Sequence, residues 1–246
     1  PAPLKSLRLV VSSSALLELP VREALLQKMP CALHEMYGTS ETSTVTDIDC
    51  RTDGTRGSVG RALPDVEIRI LDEHLKPLPS GETGQIAVRG PLNCDGYFRQ
   101  EQIFKASLKD GFFLTGDLGC LDGDGFLYYR GRLKEVIITG GSNVFPQDVE
   151  AAFKDLPGLK QCAAFALDDA MLGEVVALAV CAGEGETLEL RALLRRSLTR
   201  LAGFQQPRSI YLMPGLPHNA MGKLQRLKLA AAVRELKPWW HAPQMG

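Results

Sequence analysis

The sequence lacks a long apolar run, a close pair of cysteines and an appreciable net charge. Each shortage removes a class of function. The longest apolar stretch, VVALAVCAG at residues 175–183, has about half of the ~20 residues that a membrane-spanning helix needs. Its length suits a buried strand. Lysine and arginine (28) nearly balance aspartate and glutamate (29), leaving a net charge of −1. That removes the basic footprint expected of a nucleic-acid binder. Six cysteines stand at 31, 50, 94, 120, 162 and 181, with no CxxC spacing, and four histidines are equally scattered. This pattern speaks against structural zinc and against a disulfide framework, and for a reducing, cytoplasmic setting. No signal-peptide pattern is present. The chain opens on Pro1 rather than Met, so an upstream portion is expected.

What is present is a chain of 246 residues, 45% of them hydrophobic, enough for one large domain or two smaller ones with real cores. LRLVV at 7–11 has the apolar character of a buried strand. LPVREALLQKM at 19–29 spaces Val21, Leu25 and Leu26 as an amphipathic helix does, and CALHEMYG returns to a strand. That is the α/β alternation. From about residue 50 the pattern changes to period two. VEIRIL sets Val66, Ile68 and Ile70 opposite Glu67 and Arg69, PSGETG supplies a turn, and QIAVRG a partner strand. This middle part predicts antiparallel β-structure. Beyond Arg132, KEVIITGG ends a strand on two glycines and Pro146 opens a helix. Strands are expected near 161–167 and 174–181. A helix is expected with Leu190, Leu193, Leu194, Leu198 and Leu201 on one side and Gly203 at its end. RSIYLM then predicts a strand, and KLQRLKLAAAVREL a last helix.

Five segments gather polar residues beside glycines: YGTSET (37–42), GQIAVRGP (84–91), TGDLG (115–119), GRLKEVIITGGSNVFPQDVE (131–150) and LPHNAMGKLQR (216–226). Each has the look of a loop next to an apolar element, the usual place for a site. Taken singly, each is an ordinary turn, cap or solvated charge. Their joint order resembles the C-terminal half of the adenylate-forming (AMP-binding) superfamily, which includes acyl-CoA synthetases, peptide-synthetase adenylation domains and beetle luciferases. The resemblance covers essentially the whole chain. It implies the end of a large α/β plus β-barrel N-terminal domain at 1–133, followed by a small mobile α+β domain at 134–246. It also implies activation of a carboxylic acid by ATP with Mg²⁺, and transfer of the acyl group from AMP to coenzyme A.

The resemblance assigns roles residue by residue. Tyr37 matches the aromatic on adenine, with Gly38 beside it. Ser40 matches a phosphate-contacting hydroxyl, usually Thr in the family. Glu41 matches the acid that helps hold Mg²⁺, and a hard cation that keeps its water needs only one carboxylate beside the phosphates. Asp117 matches the acid that accepts from both ribose hydroxyls, and Arg132 a guanidinium that reaches the nucleotide. Lys223 matches the lysine that reaches the carboxylate and the α-phosphate. The alternative for Lys223, a solvated lysine at a helix start, is disfavoured because cations prefer the other end of a helix. Lys134 matches the hinge between two half-reactions, and Gly140 and Gly141 the loop along which pantetheine passes. Phe204 and Arg208 fall where some relatives hold the adenine and phosphate of CoA. The form of residues 131–150 resembles the acyl-CoA synthetase version, and LPHNAMGK resembles ligases of small or aromatic acids.

The sequence departs from the family in places. The Ser/Thr/Gly-rich loop with its lysine, which grips the β- and γ-phosphates, does not occur here, so the chain is expected to be a fragment unable to adenylate alone. SSSALL at 12–17 replaces the usual SGGAPL, and Gln85 and Ser142 stand where Glu is common. Gln206 weakens the basic clamp on CoA. Two other functions stay open: a domain loading a carrier protein, and a non-catalytic nucleotide-binding module. A homodimer is also left open.

Overall fold

The computed structural model describes residues 6–15, 17, 19–52, 57–220 and 222–242. Leu16 of the serine-rich stretch and Met221 of LPHNAMGK therefore lie outside the described residues, as does Pro1. The chain is mixed α/β and divides into two compact units, Pro1–Leu133 and Lys134–Gly246. No helix among the described residues is long and apolar enough to cross a membrane.

The first unit runs β1 (Leu9–Ser12), α1 (Leu19–Lys28), β2 (Ala32–Thr39), β3 (Ser43–Asp49), β4 (Arg61–Ala62), β5 (Glu67–Leu71), β6 (Gly84–Arg89), α2 (Glu101–Ala106), β7 (Leu108–Lys109), β8 (Phe112–Leu121) and β9 (Leu127–Arg132). Strands β1 to β4 form one sheet in sequential order, with β1 and β2 parallel across the α1 crossover. The remaining strands form a second, antiparallel sheet in the order β5-β6-β8-β7, with β9 also paired to β8. Tyr37 and Val45 of the first sheet pack with Ile70, Ile86, Val88 and Leu127 of the second. The alternation at Val66, Ile68 and Ile70 holds, since all three join that cluster. Opposite them, Arg69 and Arg89 stack over the Phe112 ring at 4.2 and 4.5 Å.

Helix α1 differs from its expected pattern. Val21 is half exposed and Arg22 is buried, paired with the buried Glu35 of β2. Leu25 and Leu26 do face the core, beside Leu33, Ile48 and Phe126. The helix turns inward to satisfy an ion pair whose partner lies on the neighbouring strand, and apolar spacing alone carries no trace of it. Strand β3 was not anticipated, so antiparallel pairing begins at Ser43 rather than near residue 50.

The second unit opens on a 3₁₀ turn, Leu133–Glu135, which spans the boundary. It continues β10 (Ile137–Thr139), β11 (Ser142–Val144), α3 (Pro146–Ala151), β12 (Leu159–Asp169), β13 (Gly173–Ala182), α4 (Leu190–Arg200), β14 (Ser209–Leu212), α5 (Leu227–Ala232) and β15 (Trp240–His241). All six strands share one sheet. Strand β13 explains the continuous apolar run. Val176, Leu178 and Val180 face a core with Val149, Phe153 and Leu193, while Ala177 and Ala179 face Leu229 and Val233. Both faces are covered, so neither parity is polar. In α4 the inner stripe uses Leu193 and Ser197, and Leu198 is 70% exposed, correcting its expected place. The helix stops at Arg200, before Gly203.

The loop after α3 is tied to α4 by Asp155, which accepts from both Arg196 and Arg200. The Arg200 and Arg196 hydrogen bonds hold its carboxyl at about 2. A depressed carboxyl stabilises the fold above its ordinary range and loses that contribution as pH falls toward the folded value. Asp155→Asn therefore lowers thermal stability at neutral pH, and the gap from the parent closes between about pH 4 and pH 2. Melting curves across that range check it; a gap independent of pH would contradict it.

Candidate nucleotide and acyl-transfer site

The segment YGTSET makes the turn between β2 and β3. Thr39 and Thr42 bond each other through their hydroxyls at 3.0 Å, and the Thr39 hydroxyl accepts from the Glu41 and Thr42 amides at 3.3 and 3.2 Å. Gly38 is required by space. A β-carbon there would come within 1.9 Å of the Ser43 carbonyl oxygen. The register shifts between Tyr37 and Gly38, and Ser40 stands exposed at the tip.

Tyr37 is buried and lies 6.1 Å from the Tyr129 ring, centroid to centroid. Its hydroxyl donates to Asp117 Oδ2 at 2.8 Å. Burial, and then the Asp117 charge, push that phenol well above its ordinary value, so it stays a donor. Asp117 is itself 2% exposed. TGDLG, expected as a loop, lies inside β8. There β6 pairs Gln85 with Leu118 and Ala87 with Leu114, so β8 uses four residues against two. Gly116, at φ 70°, takes up the excess, and such a bulge re-aims a side chain. Thr115 pins the bulge, donating to the Ile86 carbonyl at 2.8 Å and accepting from the Asp117 amide at 3.1 Å. Arg132, directly across on β9, pairs through Nε with Asp117 Oδ1 at 2.8 Å. Tyr37, Asp117 and Arg132 are thus brought together from three strands.

Glu41 is held from a direction the sequence did not disclose. Tyr97 donates its hydroxyl to Glu41 Oε1 at 2.8 Å, and the Cys94 amide donates to the Glu41 carbonyl at 2.7 Å. Tyr97 is braced edge-on against Phe104, which stacks on Phe113. Burial, and then the bond to Glu41, push the Tyr97 phenol up to about 12. Among the described residues no three acidic, cysteine or histidine side chains converge on one point. A single carboxylate with one oxygen engaged by Tyr97 fits a hydrated Mg²⁺ shared with phosphates.

In the second unit, Gly140 and Gly141 form the two-residue turn between β10 and β11. Both have positive φ, 55° and 80°, as a tight hairpin of this kind demands. Gly140 also lines a cleft of about 290 Å³ with Thr139, Phe204, Gln206 and Arg208. Phe204 is half exposed. Three of the four residues assigned to CoA thus meet at one cleft, while Gly141 is not part of its lining.

Lys134 is exposed in the Leu133–Glu135 turn. Lys223 is exposed too, in a hairpin closed by Asn219. The Lys223 amide donates to Asn219 Oδ1, and the Asn219 amide donates to the Lys223 carbonyl, both at 2.9 Å. Helix α5 starts only at Leu227, so Lys223 is not a helix-start residue and the dipole consideration does not apply to it.

Residues 1–98 match the AMP-binding enzyme family, and residues 148–223 match the AMP-binding enzyme C-terminal domain. The indoleacetate–CoA ligase of Aromatoleum aromaticum is 36% identical over 92% of this chain and 44% of its own length. ATP-bound MatB from Rhodopseudomonas palustris superposes with a TM-score of 0.87 at 35% identity, over 93% of this chain and 46% of that one. The o-succinylbenzoate coenzyme A synthetase MenE from Bacillus subtilis, in complex with ATP and magnesium, gives 0.81 at 30% identity, over 92% and 46%. The chain spans less than half the length of these relatives. With these likenesses running through both units, the chain belongs to the adenylate-forming, AMP-binding enzyme superfamily.

Proposed function

We propose that this chain is the C-terminal portion of an ATP-dependent acid–CoA ligase. The first unit is the end of its large α/β plus β-barrel domain, and the second its small mobile domain. The carrying observation is the buried Tyr37–Asp117 pair, met by the partly exposed Arg132, beside the Glu41 turn. A carboxylate has about four lone-pair sites. Asp117 Oδ2 accepts from the Tyr37 hydroxyl and Oδ1 is ion-paired with Arg132, and the same carboxylate accepts from the two ribose hydroxyls. Tyr37 lies against adenine, Ser40 bonds phosphate, and Arg132 reaches the nucleotide. Glu41 holds Mg²⁺, which neutralises phosphate charge when bound.

In the first half-reaction an oxygen of the acid attacks the α-phosphorus and pyrophosphate leaves. Lys223 places its positive charge where the acid and the α-phosphate meet. In the second, the CoA thiolate attacks the acyl carbonyl and AMP leaves. Lys134 is the hinge between the two poses, and the glycine hairpin at 140–141 lets pantetheine run close to backbone. Phe204 stacks on the CoA adenine and Arg208 pairs with its phosphate.

The acceptor is tested in the whole protein by supplying either CoA or a holo-carrier protein with a panel of acids. AMP release that saturates with CoA is expected. Release that ignores CoA and follows the carrier would overturn the CoA assignment. Stacking on an aromatic ring contributes roughly 1–3 kcal/mol per base, so Phe204→Ala should raise the KM for CoA about 5–150-fold and leave that for ATP unchanged. An unchanged KM for CoA would remove Phe204 from the site.

A further inference from the structure

Arg226 is the one charged residue of the second unit to be buried among the described residues, at 8% exposure. It stands three places after Lys223, and its guanidinium reaches three other segments. Nε donates to Glu135 Oε2 at 3.1 Å, in the turn that contains Lys134. Nη1 donates to Glu150 Oε1 of α3 at 2.5 Å and to the Ala164 carbonyl of β12 at 3.0 Å. Glu150 Oε1 also accepts from the Ala164 amide at 2.8 Å. The partners lie 91, 76 and 62 residues away in sequence.

Stability is a weak explanation for such a cluster. Buried ion pairs lose much of their attraction to desolvation, and apolar replacements of similar volume are often neutral or better. Burial raises the Glu150 carboxyl above its ordinary value, and Arg226 beside it only partly opposes that. The cluster does supply register. The hairpin before it is internally closed, with the Gln225 amide on the Pro217 carbonyl at 2.8 Å and the Gly222 amide on the Asn219 carbonyl at 2.9 Å. A hairpin closed in this way still needs one fixed attachment to set its direction. A planar fork that contacts two carboxylates in fixed directions provides it, whereas the rotatable ammonium of a lysine does not hold those directions.

We propose that Arg226 is a positioning residue that locks the Lys223 hairpin to the Lys134 turn, so that the two travel as one body. The functional part of this rests on the roles given above to Lys223 and Lys134.

Two measurements separate the parts. In this 246-residue chain, Arg226→Met should speed amide exchange at Lys223, Gln225 and the 133–135 turn about tenfold or more, leaving the β12–β13 amides as they were. Arg226→Lys should behave like Arg226→Met. Equal acceleration throughout the second unit, or none at the hairpin, overturns the proposal. Should Arg226→Met not fold, Glu135→Gln removes a single arm from a partly exposed position and is held to the same pattern. In the whole protein, Arg226→Met should lower kcat for acyl-AMP formation and spare thioester formation from supplied acyl-AMP. Equal loss of both half-reactions overturns the positioning role. A parent protein that forms no acyl-AMP at all would overturn the ligase reading while leaving the exchange result to decide the attachment.

Discussion

Lys223→Ala, made in the whole protein, is expected to slow acyl-AMP formation by on the order of 10²–10³ while sparing thioester formation from supplied acyl-AMP. The electrostatics set that size. Negative charge accumulates on the oxygens of the pentavalent phosphorus, and a unit pair at about 4 Å with an effective dielectric near 20 is worth roughly 4 kcal/mol. The reciprocal Asn219–Lys223 bonds hold the backbone at Lys223, from which that charge is delivered. The exposed side chain is then free to reach toward a ligand. Structural damage is a poor rival explanation, since an exposed lysine on a closed turn can be truncated with little effect on the core. Single-turnover assays of each half-reaction check the split. Equal loss in both would remove Lys223 from its role.

Asp117→Asn is expected to raise the KM for ATP about 10–100-fold, on roughly 1.5–3 kcal/mol per hydrogen bond to a charged group. The variant keeps the shape of the side chain and deletes its charge. It should also discriminate less between ATP and 3′-deoxy-ATP than the parent does, because in the proposed role the carboxylate accepts from the ribose. Some stability is lost as well, since the buried Asp117 carboxylate pairs with the partly exposed Arg132 and accepts from the buried Tyr37 hydroxyl. The nucleotide comparison separates the two effects. A fold weakened without loss of ribose recognition would discriminate as well as the parent, and that result would contradict the role given to Asp117.

What the sequence disclosed follows from the range of each interaction. Periodicity is local, so the strand through Val66, Ile68 and Ile70 and the buried run of β13 were legible. Helix α1 was legible as a helix but not in its orientation. Arg22 pairs with a residue 13 positions away on another element, and that pairing decides which side faces in. Leu198 differs for a related reason: Ser197, not Leu198, lies on the inner stripe of α4, and apolar spacing does not register a buried serine. The glycines of TGDLG suggest a loop, whereas the segment is a bulge within a paired strand. Tyr97 and Arg226 went unseen because their partners, 56 and up to 91 residues distant, are joined to them only by the fold. The candidates Glu41, Asp117 and Lys223 rest on motif order, which carries information that propensity does not.

The central claim is that the Tyr37–Asp117–Arg132 cluster and the Lys223 hairpin belong to a machine that makes an acyl-AMP. Oxygen transfer tests it most directly. The whole protein is given ATP, Mg²⁺, CoA and carboxylic acids labelled with ¹⁸O in the carboxylate, and the products are weighed by mass spectrometry. Attack on the α-phosphorus followed by thiol displacement leaves one labelled oxygen in AMP. That is the predicted result. Label in inorganic phosphate or pyrophosphate, with none in AMP, would contradict the account.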